Sequence, residues 1–267
     1  MSGPSDGFTG SLPLDAPTIG SSFSALLEER SLHPTWTTDD QFGDLEIPEA
    51  TTVLAVRYAD GVVMAGDRRA TAGNVIAHKR VQKVFPADEY SAVAISGTAG
   101  MALELIKLFQ TELEHYEKIE GTRLSLEGKA HYLARMVRGN LALAFQGLVV
   151  VPLFCGFDES AQEGSLYTFD VVGGRYEEQE YATTGSGGAE AKAFLKSAFR
   201  PDLDEAGALA LAVEALVAAA EEDAATGGPD LKRGIYPNVV SVTSAGYREV
   251  GDDDIAATAA RVMETRP

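Results

Sequence analysis

The pattern of apolar and polar positions divides the chain near residue 50. Residues 1–50 are dominated by Gly, Ser, Pro and Asp and contain only scattered apolar residues, which is typical of a disordered tail. The amphipathic stretch 22–29 is the exception and indicates one or two helical turns. Strand-like alternation begins at Thr51 and periodic segments then follow one another closely. The sequence therefore predicts a separate leader followed by one large folded region.

The folded region alternates between groups of strands and pairs of helices. Asp60-Gly61 and Gly173-Gly174 predict hairpin turns between strands. Apolar residues recur every three or four positions in the helical segments, and Gly121 predicts the end of the first helix. The predicted strands are 51–58, 62–66, 83–85, 90–95, 149–158, 165–172, 175–181, 239–243 and 247–250, and the predicted helices are 101–119, 125–145, 188–199, 204–225 and one that begins at residue 252.

This order of elements predicts how the layers of the fold are stacked. Most neighbouring strands are joined by short turns, so the two sheets should be mainly antiparallel. Two such sheets packed face to face, with pairs of helices on the outer faces, form a four-layer α-β-β-α sandwich of the α+β class.

Composition and charge exclude several classes of protein. The formal charge of −18 argues against nucleic acid or an anionic membrane as the main partner. No apolar run approaches the roughly 20 residues of a membrane span, and the first residues lack the pattern of a secretory signal. Cys155 is the only cysteine, so no intrachain disulfide can form and a cytoplasmic location is expected. Histidines 33, 78, 115 and 131 are not spaced as metal ligands, and no metal or other cofactor is expected.

Polar residues occur where the predicted strands and helices begin or end. Thr51 opens the first strand, Asp67 follows the second and Lys83 opens the third. Ser186, Asp223 and Thr226 are further polar residues of this kind, and Gly97 lies where the fourth predicted strand leads into a helix. Two threonines in a row would by themselves only open a β-strand, because β-branched residues fit a pleated surface. Their combination with the downstream motifs favours a catalytic role for Thr51.

Together these motifs resemble those of bacterial proteasome β-type subunits, which are amino-terminal nucleophile hydrolases, from about Thr51 to about Thr265. The resemblance implies that family's sandwich fold and a threonine endopeptidase. Its catalytic residues would be Thr51, Asp67, Lys83, Ser186, Asp223 and Thr226, with Gly97 supplying an amide of the oxyanion hole. Thr226 stands where many members carry serine, and it keeps the hydroxyl.

The resemblance also gives the leader a function. Residues 1–50 would be a propeptide that is removed by autocatalytic cleavage of the Ala50–Thr51 bond, and 51–267 would be the catalytic domain. The precursor is then a zymogen, because Thr51 has no free α-amine to act as its base until the bond is cut. Ala50 stands where many active members carry glycine, and its methyl group restricts the turn there, so we expect slower self-cleavage.

The substrate site implied by the resemblance is apolar. Its pocket residues would be Ala70, Val81, Phe85, Ile95, Ala99 and Leu103, and their apolar character favours a chymotrypsin-like preference. Thr71 would hydrogen-bond the extended peptide. The alternative is that these side chains are part of the hydrophobic core. The implied partners are α-type and other β subunits in stacked heptameric rings, together with an ATPase ring that delivers unfolded proteins.

Two other readings of the sequence remain open at this point. One is the subunit of the bacterial two-ring ATP-dependent protease, which has the same amino-terminal threonine but is shorter and normally lacks a long leader. The other is a non-catalytic ring subunit, either an inactive β-type subunit with a role in assembly or an α-type gating subunit. The presence of Thr51, Asp67 and Lys83 together argues against the second reading.

Overall fold

The structure is a computed structural model that describes residues 51–265. The predicted helical turns at 22–29 and the cleavage position Ala50 lie outside the described residues. Within 51–265, none of the helices combines the length and the apolar character that crossing a membrane requires. The same part of the chain contains no group of three or more His, Cys, Asp or Glu residues placed to hold a metal ion.

Twelve strands and six helices make up this region. The strands are β1 (Thr52–Tyr58), β2 (Gly61–Gly66), β3 (Ala70–Ala72), β4 (Val75–His78), β5 (Val84–Asp88), β6 (Ser91–Gly97), β7 (Val150–Asp158), β8 (Glu163–Phe169), β9 (Arg175–Glu178), β10 (Tyr181–Gly185), β11 (Asn238–Thr243) and β12 (Gly246–Glu249). The helices are α1 (Ala99–Glu120), α2 (Leu126–Gly139), α3 (Leu141–Ala144), α4 (Gly188–Ala198), α5 (Glu205–Glu222) and α6 (Asp252–Thr265).

The strands form two five-stranded antiparallel sheets and one small hairpin. The first sheet has the order β10-β1-β2-β11-β12 and the second has the order β5-β6-β7-β8-β9. Strands β3 and β4 pair only with each other. Both predicted hairpin turns are confirmed, since Asp60-Gly61 joins β1 to β2 and Gly173-Gly174 precedes β9.

Three apolar clusters show that the layers are stacked as α-β-β-α. The cluster between the sheets includes Val53 from β1 and Leu153 from β7. The outer face of the first sheet, with Leu54 of β1, packs against α4, α5 and α6. The outer face of the second sheet, with Phe154 of β7, packs against Phe109 of α1 and against α2. The predicted four-layer sandwich is therefore confirmed, with three helices rather than two on the first sheet.

The second predicted helix is wrong at its carboxyl end. Helix α2 ends at Gly139, and Asn140 caps it with φ −94° and ψ 7° before the short α3. The side chain of Phe145, predicted to be on the buried face, is 72% exposed. Glycine and asparagine are weak helix formers, so this pair ends a helix that apolar spacing alone would extend.

The predicted strand 175–181 is also wrong, because two strands occupy this region. Strand β9 belongs to the second sheet, whereas β10 pairs with β1 at the edge of the first. The chain thus crosses from one sheet to the other between Glu178 and Tyr181. This crossing is what brings Gly185 and Ser186 beside the start of β1.

Candidate active site

The start of β1 is held in place by the end of β10. Gly185 pairs with Thr52, and the amide of Ser186 donates a hydrogen bond to the carbonyl oxygen of Thr51 at 3.0 Å. Gly185 has φ +103°, and a Cβ at this position would overlap the Thr51 carbonyl oxygen. Glycine is required there for both reasons. The result is that Thr51, although it lies just outside the strand, is only 8% exposed.

The carboxylate of Asp67 is fully buried and accepts four hydrogen bonds. Its Oδ1 accepts from the Thr52 amide at 2.9 Å and from Lys83 Nζ at 2.5 Å. Its Oδ2 accepts from the amides of Arg69 at 2.8 Å and Gly227 at 2.9 Å. A buried charge is tolerated only when it is paired and hydrogen-bonded. These donors satisfy that condition, and they place Asp67 and Lys83 next to the residue that follows Thr51.

Lys83 is the cation of this cluster. Its Nζ also donates to the carbonyl oxygen of Arg69 at 2.5 Å. Burial lowers the pKa of Lys83 below its ordinary value of 10.5, and the attraction of Asp67 opposes that shift. The ion pair with Asp67 compensates part of the cost of burying the charged lysine. The structure therefore combines an ammonium group with the start of β1 in a buried site.

A second cluster forms around Asp223, the residue that ends α5. Ser186 Oγ and Thr226 Oγ1 both donate to Asp223 Oδ2 at 2.6 Å, and the Ala225 amide donates to Oδ1 at 3.0 Å. Burial alone would raise the pKa of Asp223, but these hydrogen bonds outweigh it and hold the pKa below its ordinary value of 3.8. Asp223 is thus an acceptor for two hydroxyl groups.

The two clusters meet at Thr52, a residue that the sequence reasoning missed. Thr52 Oγ1 lies 2.6 Å from Thr226 Oγ1 and accepts a hydrogen bond from the Gly187 amide at 2.9 Å. Its backbone amide binds Asp67, as described above. The one available signal in the sequence was a second threonine directly after Thr51, which a β-strand alone explains.

Gly97 lies at the end of β6, where the chain turns into α1. It has φ +109°, and a Cβ there would overlap the carbonyl oxygen of Val149. The preceding residue, Ser96, hydrogen-bonds Thr184 of β10 at 2.9 Å. Since Gly185 follows Thr184 and pairs with Thr52, Gly97 is at the same end of the two sheets as Thr51.

Comparison with known proteins identifies the family. The family model for proteasome subunits matches residues 47–230. The chain belongs to the proteasome subunit family. A protein named proteasome subunit beta from Acidimicrobium ferrooxidans is 54% identical over 249 residues, which cover 92% of this chain and 91% of that protein. A protein of the same name from Streptomyces griseus is 50% identical over 262 residues, which cover 97% and 93% of the two chains.

Similarity to proteasome β subunits argues against two of the alternative assignments considered from the sequence. The matches extend over almost the whole chain and carry the name of the β subunit, so they favour this assignment over the two-ring protease and the α-type subunit. The family also indicates a peptidase.

The predicted substrate residues of this proteasome subunit are spread over several elements. Ala70 and Thr71 are in β3, Val81 precedes β5, and Ala99 opens α1. Phe85 and Ile95 contribute to the core between the second sheet and its helices, while Leu103 of α1 is 43% exposed. Ile95, at 4% exposure, has a structural role whatever else it does. A role of this set in substrate binding stays a prediction.

Proposed function

We propose that this chain is a threonine endopeptidase, the catalytic β subunit of a 20S proteasome, with Thr51 as its nucleophile. The observation that carries the proposal is the set of hydrogen bonds that places the buried Asp67–Lys83 pair against the amide of Thr52. A buried ion pair with a perturbed lysine is typical of catalytic sites. The pair is hydrogen-bonded to the residue that follows Thr51, and Thr51 is only 8% exposed. This arrangement supports a role for the pair in activating the Thr51 hydroxyl.

In the proposed mechanism Thr51 supplies both the nucleophile and its base. A threonine hydroxyl reacts poorly until a base removes its proton. The α-amine of a chain that begins at Thr51 is such a base, since a free α-amine has a pKa of about 7.7–8.0. The nearby Lys83 ammonium disfavours protonation of that amine through like-charge repulsion, and Asp67 holds Lys83 in place. The Gly97 amide would stabilise the oxyanion of the tetrahedral intermediate, typically worth about 3–4 kcal/mol.

Removal of residues 1–50 is the proposed activation step. In the precursor the Thr51 nitrogen is part of a peptide bond and has no basic lone pair. The Thr51 hydroxyl attacks the carbonyl carbon of Ala50, so that a C–O ester bond replaces the C–N bond and the nitrogen becomes an amine. Water then hydrolyses the ester, and residues 1–50 leave with a carboxylate at Ala50. The product has the amine that the mechanism requires.

The wider setting is proposed from the family. The subunit would assemble in the cytoplasm with α-type and other β subunits in stacked heptameric rings. An ATPase ring would supply unfolded proteins, which the enclosed site would cleave broadly and with a chymotrypsin-like preference. Enclosure of the site in a chamber would explain how a broad protease is tolerated by the cell.

The test replaces Thr51 in the chain assembled with its α subunits. We expect Thr51→Ala to abolish hydrolysis of fluorogenic peptides and to leave residues 1–50 attached by mass spectrometry, because no hydroxyl remains to attack either bond. Thr51→Ser should retain cleavage before position 51 and measurable activity. Thr111→Ala, on the exposed face of α1, is the control and should behave as the wild type. Peptidase activity of assembled Thr51→Ala would overturn the proposal, and an unprocessed, inactive wild type would favour the non-catalytic alternative.

A further inference from the structure

The hydrogen bonds around Thr52 have a defined direction. Each hydroxyl has one proton, and Thr226 donates its proton to Asp223. In the 2.6 Å contact between Thr52 Oγ1 and Thr226 Oγ1, the donor must therefore be Thr52. Thr52 Oγ1 in turn accepts from the Gly187 amide. The chain of donors therefore runs from Gly187 through Thr52 and Thr226 to the Asp223 carboxylate.

The same residue is attached to the other cluster through its backbone. The Thr52 amide donates to Asp67 Oδ1 at 2.9 Å, and its carbonyl oxygen accepts from the Asp67 amide at 3.0 Å. Thr52 is fully buried. Within residues 51–265, it thus joins the Asp67–Lys83 pair to the cluster of Ser186, Asp223 and Thr226 through its own bonds.

The surrounding backbone is built around the Thr52 hydroxyl. A Cβ on Gly187 would lie 2.9 Å from Thr52 Oγ1 and 2.6 Å from Thr226 Oγ1. These separations are too close for a real methyl group, so a larger residue at position 187 would have to displace the two threonine hydroxyls. A hydroxyl that served only to fill space in the strand would not need this approach.

We propose that Thr52 is a positioning residue, which fixes the orientation of Thr51 by linking the two clusters on either side of it. The inference rests on the proposed function, since it assigns a role relative to Thr51 as nucleophile. A chain terminus is mobile unless it is tied down, and after cleavage Thr51 is a terminus. Because the reacting groups must be held to within a fraction of an ångström, the anchor one residue away controls the rate of the chemical step.

The test compares Thr52→Val, which keeps the branched shape, with Thr52→Ser, which keeps the hydroxyl. In the assembled wild-type background, with rates normalised to the processed fraction, we expect Thr52→Val to lower kcat for a fluorogenic peptide at least 10-fold. KM should stay within twofold, because Thr52 is not one of the predicted substrate residues. Thr52→Ser should restore kcat to within about threefold of the wild type.

A purely structural role for Thr52 would give a different result. It would lower the fraction of assembled enzyme without a selective loss of kcat. The kcat of Thr52→Ser would then be no higher than that of Thr52→Val. Either that outcome or a Thr52→Val enzyme with kcat within twofold of wild type would overturn the inference. If Thr52→Val does not assemble, Thr52→Ala and Thr52→Ser give the same comparison, and equal kcat values would overturn it. An inactive Thr51→Ala beside a fully active Thr52→Val would leave the proposed function standing.

Discussion

Asp67 and Lys83 form a salt bridge of 2.5 Å in which their side chains are 0% and 3% exposed. Removing one partner of such a buried pair leaves an uncompensated charge, which usually costs about 3–5 kcal/mol. The two partners are not equivalent, because Asp67 also accepts bonds from the amides of Thr52, Arg69 and Gly227. Asp67 therefore supports three backbone segments as well as the lysine.

We expect Lys83→Met to lower the free energy of unfolding by about 3–5 kcal/mol and Asp67→Leu to lower it further, since three backbone donors then lose their acceptor. Urea denaturation of the isolated chain measures both values. Lys118→Met is the matched control, because Lys118 pairs with Glu114 on the exposed surface of α1, where water screens the interaction and such pairs contribute little to stability. Equal losses for Lys83→Met and Asp67→Leu would contradict this account of Asp67.

The lowered pKa of Lys83 predicts how that stability varies with pH. Since burial depresses the folded-state pKa below 10.5, the unfolded chain binds this proton more tightly, and the stability contributed by Lys83 rises as the pH increases from the folded pKa towards 10.5. The difference in unfolding free energy between the wild type and Lys83→Met should therefore be larger at pH 9.5 than at pH 7. Urea denaturation at the two pH values measures it, and a gap that narrows with pH would be inconsistent with a depressed pKa.

Substitution of Gly185 should displace the proposed nucleophile Thr51 without changing the Thr51 side chain itself. An alanine there would have a strained φ of +103° and a Cβ that overlaps the Thr51 carbonyl oxygen. Misplacement by about 1 Å can cost about 100-fold in rate, so we expect Gly185→Ala to lower kcat by about one to two orders of magnitude. Gly139→Ala, where a Cβ meets open space, is the control. Fluorogenic peptide assays on both assembled variants would decide, and comparable activity would show that the position of Thr51 tolerates this shift.

Self-cleavage should become faster when Ala50 is replaced by glycine. Alanine has fewer accessible backbone conformations than glycine, so Ala50→Gly gives residue 50 more conformations in which the Thr51 hydroxyl can reach the Ala50 carbonyl. A time course of precursor and product by mass spectrometry during assembly measures the rate. Peptidase activity per processed subunit should be unchanged, since Ala50 has then left the enzyme. A slower rate for Ala50→Gly would rule out this role of the methyl group.

The sequence by itself determined the fold class and the order and approximate bounds of most elements, whereas the short β3 and β4 and the separate β10 were not predicted from it. Hairpin turns such as Asp60-Gly61 and helix caps such as Ser125, whose Oγ accepts from the Gly128 amide, depend on a few neighbouring residues. Alternation and three-to-four-residue spacing likewise reflect local geometry. For the same reason the family motifs around Thr51 and Asp67 could be recognised from their spacing.

Only the tertiary structure decided that the chain crosses from the second sheet to the first between β9 and β10. It also decided that Thr52 links the two polar clusters. The bond between Thr52 and Thr226 joins residues 174 positions apart, and the bond from Gly187 to Thr52 spans 135. No local pattern encodes such an approach, because it follows from how two sheets and α5 pack together. The local sequence pattern of a strand threonine is the same whether its side chain faces an apolar core or a carboxylate cluster. Only the packing of the folded chain decides which of the two it faces.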